Sequence, residues 1–309
     1  MSIAICFNHK DSKPWATALQ EKIPNVKIEI YPDIEDYAAI TFALCWKADR
    51  DLLSRFPNLR VVQSVGASVD HVLNYQTLPK DVILSRIVVG QLSTDMFEYV
   101  LAGIMRHIKR FPEYTQYSKE KQWQPIPYKS IEDVSIAILG LGKIGTYVAS
   151  RLSAMGFKVK GWSRSPKDIM KVESFHGASG LQRALHSTDI LINILPLTEQ
   201  TKDILNAKNL KQLNQNAYLI NVGRGEHLVE NDLLDLIESQ YLSGALLDVF
   251  RTEPLPKNHP FWQHEKIKIT PHIAAITNVA SASEIVVANY LNFQKGGEML
   301  NVVSVENGY

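Results

Sequence analysis

The chain has 309 residues, 45% of them hydrophobic and 21% charged, which is enough for two domains and near the globular average. With 33 basic and 32 acidic residues the formal net charge is +1, and no run of one sign suggests a nucleic-acid groove or a charged membrane anchor. The composition excludes disordered, collagen-like and coiled-coil classes.

The opening run Ser2–Phe7 is too short for a signal-peptide core and reads as a buried strand. No window approaches the ~18 apolar residues of a membrane span, and a cytoplasmic protein is expected. Cys6 and Cys45 both sit in apolar strand-like runs, which suits buried free thiols better than a disulfide. Neither CxxC nor HExxH occurs, so nothing supports a metal. Val26–Tyr31, Ile40–Trp46 and Leu59–Val65 read as further strands, and their alternation with helical or loop segments implies a parallel sheet.

Then the period changes. Ser93, Thr94 or Asp95 can cap a helix, and Asp95 with Glu98 has capping-box spacing. An apolar stripe follows through Phe97, Val100, Leu101, Ile104, Met105 and Ile108, and Pro112 is expected to close it. A second alternating series runs through Val134–Leu139, Phe157–Trp162, Ile190–Leu195, Ala217–Val222, Ala245–Val249 and Ile267–Thr270, with helical patterns such as Ile144–Met155 and Val229–Ile237 between them. A last helical stripe passes Ile285, Val286, Tyr290 and Phe293, and Asn301–Val305 reads as a closing strand. The expected architecture is α/β with two doubly wound domains, the second inserted into the first. A substrate domain takes residues 1–94 and 279–309, and a dinucleotide-binding Rossmann domain takes 95–278, with an active site in the cleft between them.

The first chemical motif is Gly140-Leu141-Gly142-Lys143-Ile144-Gly145, preceded by the run Val134–Leu139 and followed by an amphipathic helix. G-x-G-x-x-G alone is weak, but strand before and helix after are what a dinucleotide-binding turn requires. The glycines let backbone approach a pyrophosphate whose charge lies at the helix N-terminus. An NAD enzyme usually places Asp or Glu about 20 residues on, for the ribose hydroxyls. Here the sequence is Ser163-Arg164-Ser165-Pro166-Lys167, without a carboxylate. Hydroxyl, guanidinium and ammonium groups suit a 2′-phosphate, and so NADPH; the alternative is that Arg164 and Lys167 simply face solvent.

Three more fragments each stand just past an apolar strand: Gly223-Arg224-Gly225, Arg251-Thr-Glu253-Pro254 and Pro271-His272-Ile273. Ligands of an open parallel sheet bind beyond the carboxyl ends of its strands. Reducing a 2-keto acid needs a cation for the carboxylate and carbonyl, which Arg224 supplies. It also needs a proton donor that titrates in the right range, His272, and a carboxylate that holds the imidazolium, Glu253. Each residue alone has a bland reading as turn, loop or surface group; together, in this order, they form a constellation. The other eight histidines are read as structural.

These fragments, with Asn221-Val222-Gly223-Arg224-Gly225 and Leu247-Asp248-Val249-Phe250 in full, resemble the D-isomer-specific 2-hydroxyacid dehydrogenases over roughly residues 90–290. Trp162–Ser165, Leu255-Pro256, His272–Thr277 and the Gly308-Tyr309 terminus resemble the glyoxylate/hydroxypyruvate reductase A branch, which favours NADPH. The resemblance implies that Arg224 binds substrate, that Glu253 partners the histidine and that His272 donates the proton. It adds Pro196, Leu197, Val222, Gly223, Asp248 and Ala274 to the cofactor side. It also places the substrate carboxylate on strand-end amides, here Val65-Gly66-Ala67-Ser68, beside Trp46. Lys47-Ala48 departs from the proline-rich segment expected after that tryptophan. The implied function is NADPH-dependent reduction of glyoxylate or hydroxypyruvate by a homodimer, with Trp123 reaching the partner's cleft. A nucleotide-responsive binding protein of the corepressor kind is the rival on the same scaffold.

Overall fold

The computed structural model describes residues 1–8, 10–79 and 81–303. The chain forms two compact units, residues 1–91 with the segment from Thr277 onward, and Leu92–Ile276. In the first unit β1 (Ser2–Phe7), β2 (Ile28–Ile30), β3 (Ile40–Trp46), β4 (Val61–Ser64) and β5 (Ile83–Arg86) pair in parallel in the order β2-β1-β3-β4-β5. This is the flavodoxin-like order. All six residues of β1 are buried, as expected of a strand covered on both faces. The helix Val279–Gln294 belongs to this unit: Asn278 caps it through the amide of Ser281, and its Ala282, Val286 and Tyr290 share a core with Ile3, Phe42 and Leu44.

The second unit has seven parallel strands: β6 (Ser135–Leu139), β7 (Lys158–Ser163), β8 (Val172–His176), β9 (Ile190–Asn193), β10 (Ala217–Asn221), β11 (Leu242–Leu247) and β12 (Ile267–Ile269). Their order is β12-β11-β10-β9-β6-β7-β8. The direction of winding reverses between β6 and β9, the switch point at which such sheets bind dinucleotides. One face buries Leu191, Leu219, Leu233 and Leu247. The other packs Val100, Ile104 and Ile108 of the helix Gly90–Ile108 on Ile136, Ile138 and Ile220.

Several expectations are corrected. That helix starts at Gly90, so Asp95 and Glu98 lie inside it and form no capping box. Pro112 does not end it: the helix stops at Ile108, and Pro112 sits in the first turn of a new helix, Phe111–Lys119, where a missing N–H costs nothing. Val302 makes only an isolated antiparallel bridge to Ser85 in place of a closing strand; residues 304, 305 and the Gly308-Tyr309 terminus lie outside the described residues. β5 and β8 went unread, and both are sheet edges. Val172-Glu-Ser-Phe-His176 buries only Phe175, so it lacks the apolar run that marks the inner strands.

Candidate active site

The glycine turn joins β6 to the helix Lys143–Ala154, with Gly142 as its N-cap. Gly140 has φ +105°, and a β-carbon at Gly145 would fall 1.8 Å from the Gly140 carbonyl. Those two positions need glycine to close the turn. At Gly142 a β-carbon would meet nothing within 4 Å: the backbone borders open space at a helix N-terminus, which fits a pyrophosphate. Leu141 is 2% exposed, so it can offer a ligand its backbone only.

At the end of β7 the Ser163 side chain turns inward and its hydroxyl donates to the Ser165 carbonyl at 2.8 Å. Arg164, Ser165 and Lys167 are exposed. No carboxylate stands there to repel a 2′-phosphate. A separate cavity of about 630 Å³, lined by Lys129, Lys158, Lys160 and Asp189 among others, contains none of the glycine-turn residues; the chemistry is placed by strand ends, not by this groove.

β10, β11 and β12 are neighbours, so the loops that follow them share one edge. Glu253 Oε2 lies 2.9 Å from His272 Nδ1, and the Phe250 amide donates to Glu253 Oε1 at 3.1 Å. The carboxylate is thus pinned at one oxygen and holds the ring with the other, which leaves Nε2 as the atom that can pass a proton onward. His272 itself has φ +56°, a left-handed backbone that a residue with a β-carbon seldom adopts. Its surroundings impose that conformation: the His272 amide donates to the Asp248 carbonyl at 2.9 Å, and the Asp248 carboxylate accepts from the amides of Ile273 and Ala274, each at 2.8 Å. Thr270 Oγ1 donates to Asp248 at 2.5 Å, and the Tyr99 hydroxyl bonds Thr270 at 2.5 Å. Asp248 is 1% exposed. Burial pushes its carboxyl up, against the pull of the Thr270 hydroxyl and the two amides. Assigned from sequence to the cofactor, Asp248 is engaged in holding the His272 loop.

The Arg224 loop packs against the Glu253 loop backbone to backbone: a β-carbon on Gly225 would lie 1.9 Å from the Phe250 carbonyl carbon. Arg224 Nη1 donates to the Gly223 carbonyl at 2.7 Å, and Val222 is buried. Three residues to which the sequence assigns no site role meet here, Asn193, Asn221 and His227, all fully buried. An asparagine closing each of two neighbouring apolar strands was the available signal. Thr201 bonds the Pro196 carbonyl, steadying the turn that carries Pro196 and Leu197.

In the first unit, Trp46 ends β3 and its indole lies against Gly66, where a β-carbon would come 2.8 Å from Cζ3. The Lys10 ammonium sits 5.0 Å from its ring centre, a residue no motif singled out. Of the four amides expected to hold a carboxylate, two are already taken: Val65 N–H donates to the Cys45 carbonyl at 3.3 Å and Gly66 N–H to Ser64 Oγ at 3.2 Å. The amides of Ala67 and Ser68 have no partner among the described residues. Among those residues no helix is long and apolar enough to cross a membrane, and no group of three or more His, Cys, Asp and Glu is placed to hold a metal.

The family model described as "D-isomer specific 2-hydroxyacid dehydrogenase, NAD binding domain" matches residues 101–274. Glyoxylate/hydroxypyruvate reductase A of Yersinia enterocolitica is 40% identical, and that of Serratia proteamaculans 39%, each over 99% of both chains. The NADPH-dependent glyoxylate/hydroxypyruvate reductase of Sinorhizobium meliloti, solved with NADP and sulfate, superposes with a TM-score of 0.94 at 37% identity and covers 100% of both chains. A D-isomer specific 2-hydroxyacid dehydrogenase of Xanthobacter autotrophicus, solved with NADPH, gives 0.94 at 32% identity, covering 100% of this chain and 99% of that one. A family model over more than half of the chain and full-length relatives at 39–40% identity show that the chain belongs to the D-isomer specific 2-hydroxyacid dehydrogenase family.

Proposed function

We propose that the protein reduces small 2-keto acids, glyoxylate and hydroxypyruvate, to D-2-hydroxy acids with NADPH as the preferred reductant, in the cytoplasm. The observation that carries the reading is the Glu253–His272 pair at 2.9 Å, on the strand edge that it shares with the glycine turn and the Arg224 loop. When bound, NADPH supplies the hydride. Gly142, on the turn that Gly140 and Gly145 close, would face its pyrophosphate, and Arg164, Ser165 and Lys167 would take the 2′-phosphate. Arg224 binds the substrate carboxylate and polarises its carbonyl, because a guanidinium presents two parallel donors. In the first unit, taken by itself, the amides of Ala67 and Ser68 can donate to a carboxylate, and Gly66 lets the Trp46 indole pack close beside them. His272 donates from Nε2 to the carbonyl oxygen, and Glu253 stabilises the imidazolium before the transfer. The relatives named above support the substrate class.

Replacing His272 by Ala should lower kcat on the order of 10²–10⁴-fold, the usual range for a general acid. Stopped-flow NADPH oxidation with glyoxylate measures this, and a variant with wild-type kcat removes His272 from the reaction. The same assay distinguishes a reductase from a nucleotide-responsive binding protein, which would bind NADPH without consuming it. Trp123 is fully exposed on the segment after the helix Phe111–Lys119. That exposure supports a homodimer in which this indole meets the partner, a state that light scattering reads directly.

A further inference from the structure

His227 stands in the short helical turn Gly225–His227 that follows Arg224 and is completely buried. Its Nδ1 lies 2.8 Å from Asn193 Nδ2 and 3.0 Å from the Arg224 amide nitrogen. Both are donors. The Asn193 amide is oriented by the Leu195 N–H, which donates to Asn193 Oδ1 at 3.3 Å, so its NH₂ group faces Asn221 Oδ1 at 2.9 Å and the imidazole. A nitrogen that accepts from two N–H groups carries no proton of its own. The ring proton is therefore on Nε2, which donates to the Pro196 carbonyl at 3.3 Å. The same cluster holds the other side of Arg224: Asn221 Nδ2 donates to the Arg224 carbonyl at 3.1 Å.

We propose that His227, as a neutral imidazole protonated on Nε2, is the positioning residue that fixes the Arg224 backbone and ties it to the Pro196 turn. Arg224 is gripped at its N–H by His227 and at its C=O by Asn221, and both grips converge on Asn193 at the end of the adjoining strand. The guanidinium then projects from a backbone held at both its N–H and its C=O, which favours a cation that meets a substrate in one orientation. The Pro196 carbonyl on the ring's far side makes the cofactor-side turn and the substrate-side loop share one imidazole. This inference rests on the reading of Arg224 as the group that binds substrate.

The test uses wild type, His227→Asn and His227→Gln, with folding confirmed by circular dichroism. Asparagine can offer an oxygen where Nδ1 stood. Glutamine reaches toward Pro196 and leaves the Asn193 and Arg224 donors without their acceptor. With hydroxypyruvate varied at saturating NADPH, His227→Gln should raise KM and lose about 10–100-fold in kcat/KM, the scale of one buried unsatisfied donor. His227→Asn should keep KM close to wild type. A second readout needs no turnover: long-range ¹H–¹⁵N correlation spectra of the wild-type protein should show the His227 ring protonated on Nε2 and bare on Nδ1. Wild-type KM in a folded His227→Gln protein, or a proton on Nδ1, overturns the inference. Should both variants unfold, the spectrum of the wild type decides alone. A wild type that does not reduce hydroxypyruvate defeats the functional reading and leaves the tautomer to the spectrum.

Discussion

At the residue scale His272 is one of several non-glycine residues with a left-handed backbone, and its φ of +56° is held by the Asp248 carboxylate, which accepts from the two amides that follow. A backbone in this region is strained and persists only where its surroundings over-determine it. Glu253 completes the arrangement from the side. Glu253→Gln keeps the shape but removes the carboxylate beside the imidazole, so kcat with hydroxypyruvate should fall about ten-fold or more while NADPH binding is kept. Steady-state kcat and an NADPH titration measure this; a wild-type kcat would make Glu253 a structural residue. Cofactor choice is also a residue-scale matter. Ser163→Asp with Arg164→Ala places a carboxylate at the end of β7 and should turn the ratio of kcat/KM from NADPH toward NADH, from a wild-type preference of about ten-fold or more. Equal use of both cofactors by the wild type would contradict the assignment. These residues were legible because each follows an apolar strand within a recognisable tripeptide. His227 and Asn193 were not, since a buried polar side chain announces itself only through partners that are distant in sequence, 34 residues apart in this case.

At the scale of elements, strands covered on both faces declared themselves as apolar runs: β1 and β3 lie where the sequence places them, Ser2–Phe7 and Ile40–Trp46. The edge strands β2 and β12 fall within the predicted Val26–Tyr31 and Ile267–Thr270, but the edge strands β5 and β8 were not read, because one side of an edge needs no apolar partner. The start of the helix Gly90–Ile108 was misplaced for a related reason: a polar stretch, Ser93-Thr94-Asp95, mimics a cap although Ser93 is buried inside the helix. The same helix carries His107, stacked on Tyr218 of β10 with ring centres 4.1 Å apart. Burial, and after it Arg110, pushes His107 down to about 4 from 6.5. The folded ring refuses a proton that the unfolded chain accepts. Stability from this site is therefore whole above pH 6.5 and falls as the pH drops toward 4, by at most about 3 kcal/mol. His107→Phe keeps the stack and cannot charge. Thermal melts at neutral pH and near pH 5 should show a smaller loss of Tm for the variant than for the wild type; an equal loss would place the acid sensitivity elsewhere.

At the scale of the whole molecule, the strand orders β2-β1-β3-β4-β5 and β12-β11-β10-β9-β6-β7-β8 give the chain two doubly wound units, one of them with its switch point beside the glycine turn. A fold of this kind serves many chemistries, and function must be argued from the site. Here the Glu253–His272 pair stands on the same sheet as the glycine turn and the Arg224 loop, and the roles proposed for them suit hydride reduction of a 2-keto acid. The measurement that tests this most directly is NADPH oxidation by the wild-type protein with hydroxypyruvate, with the configuration of the glycerate formed read by chiral chromatography. The account predicts enzyme-dependent loss of NADPH matched by D-glycerate. No loss above the rate without enzyme, or L-glycerate as the product, would contradict it.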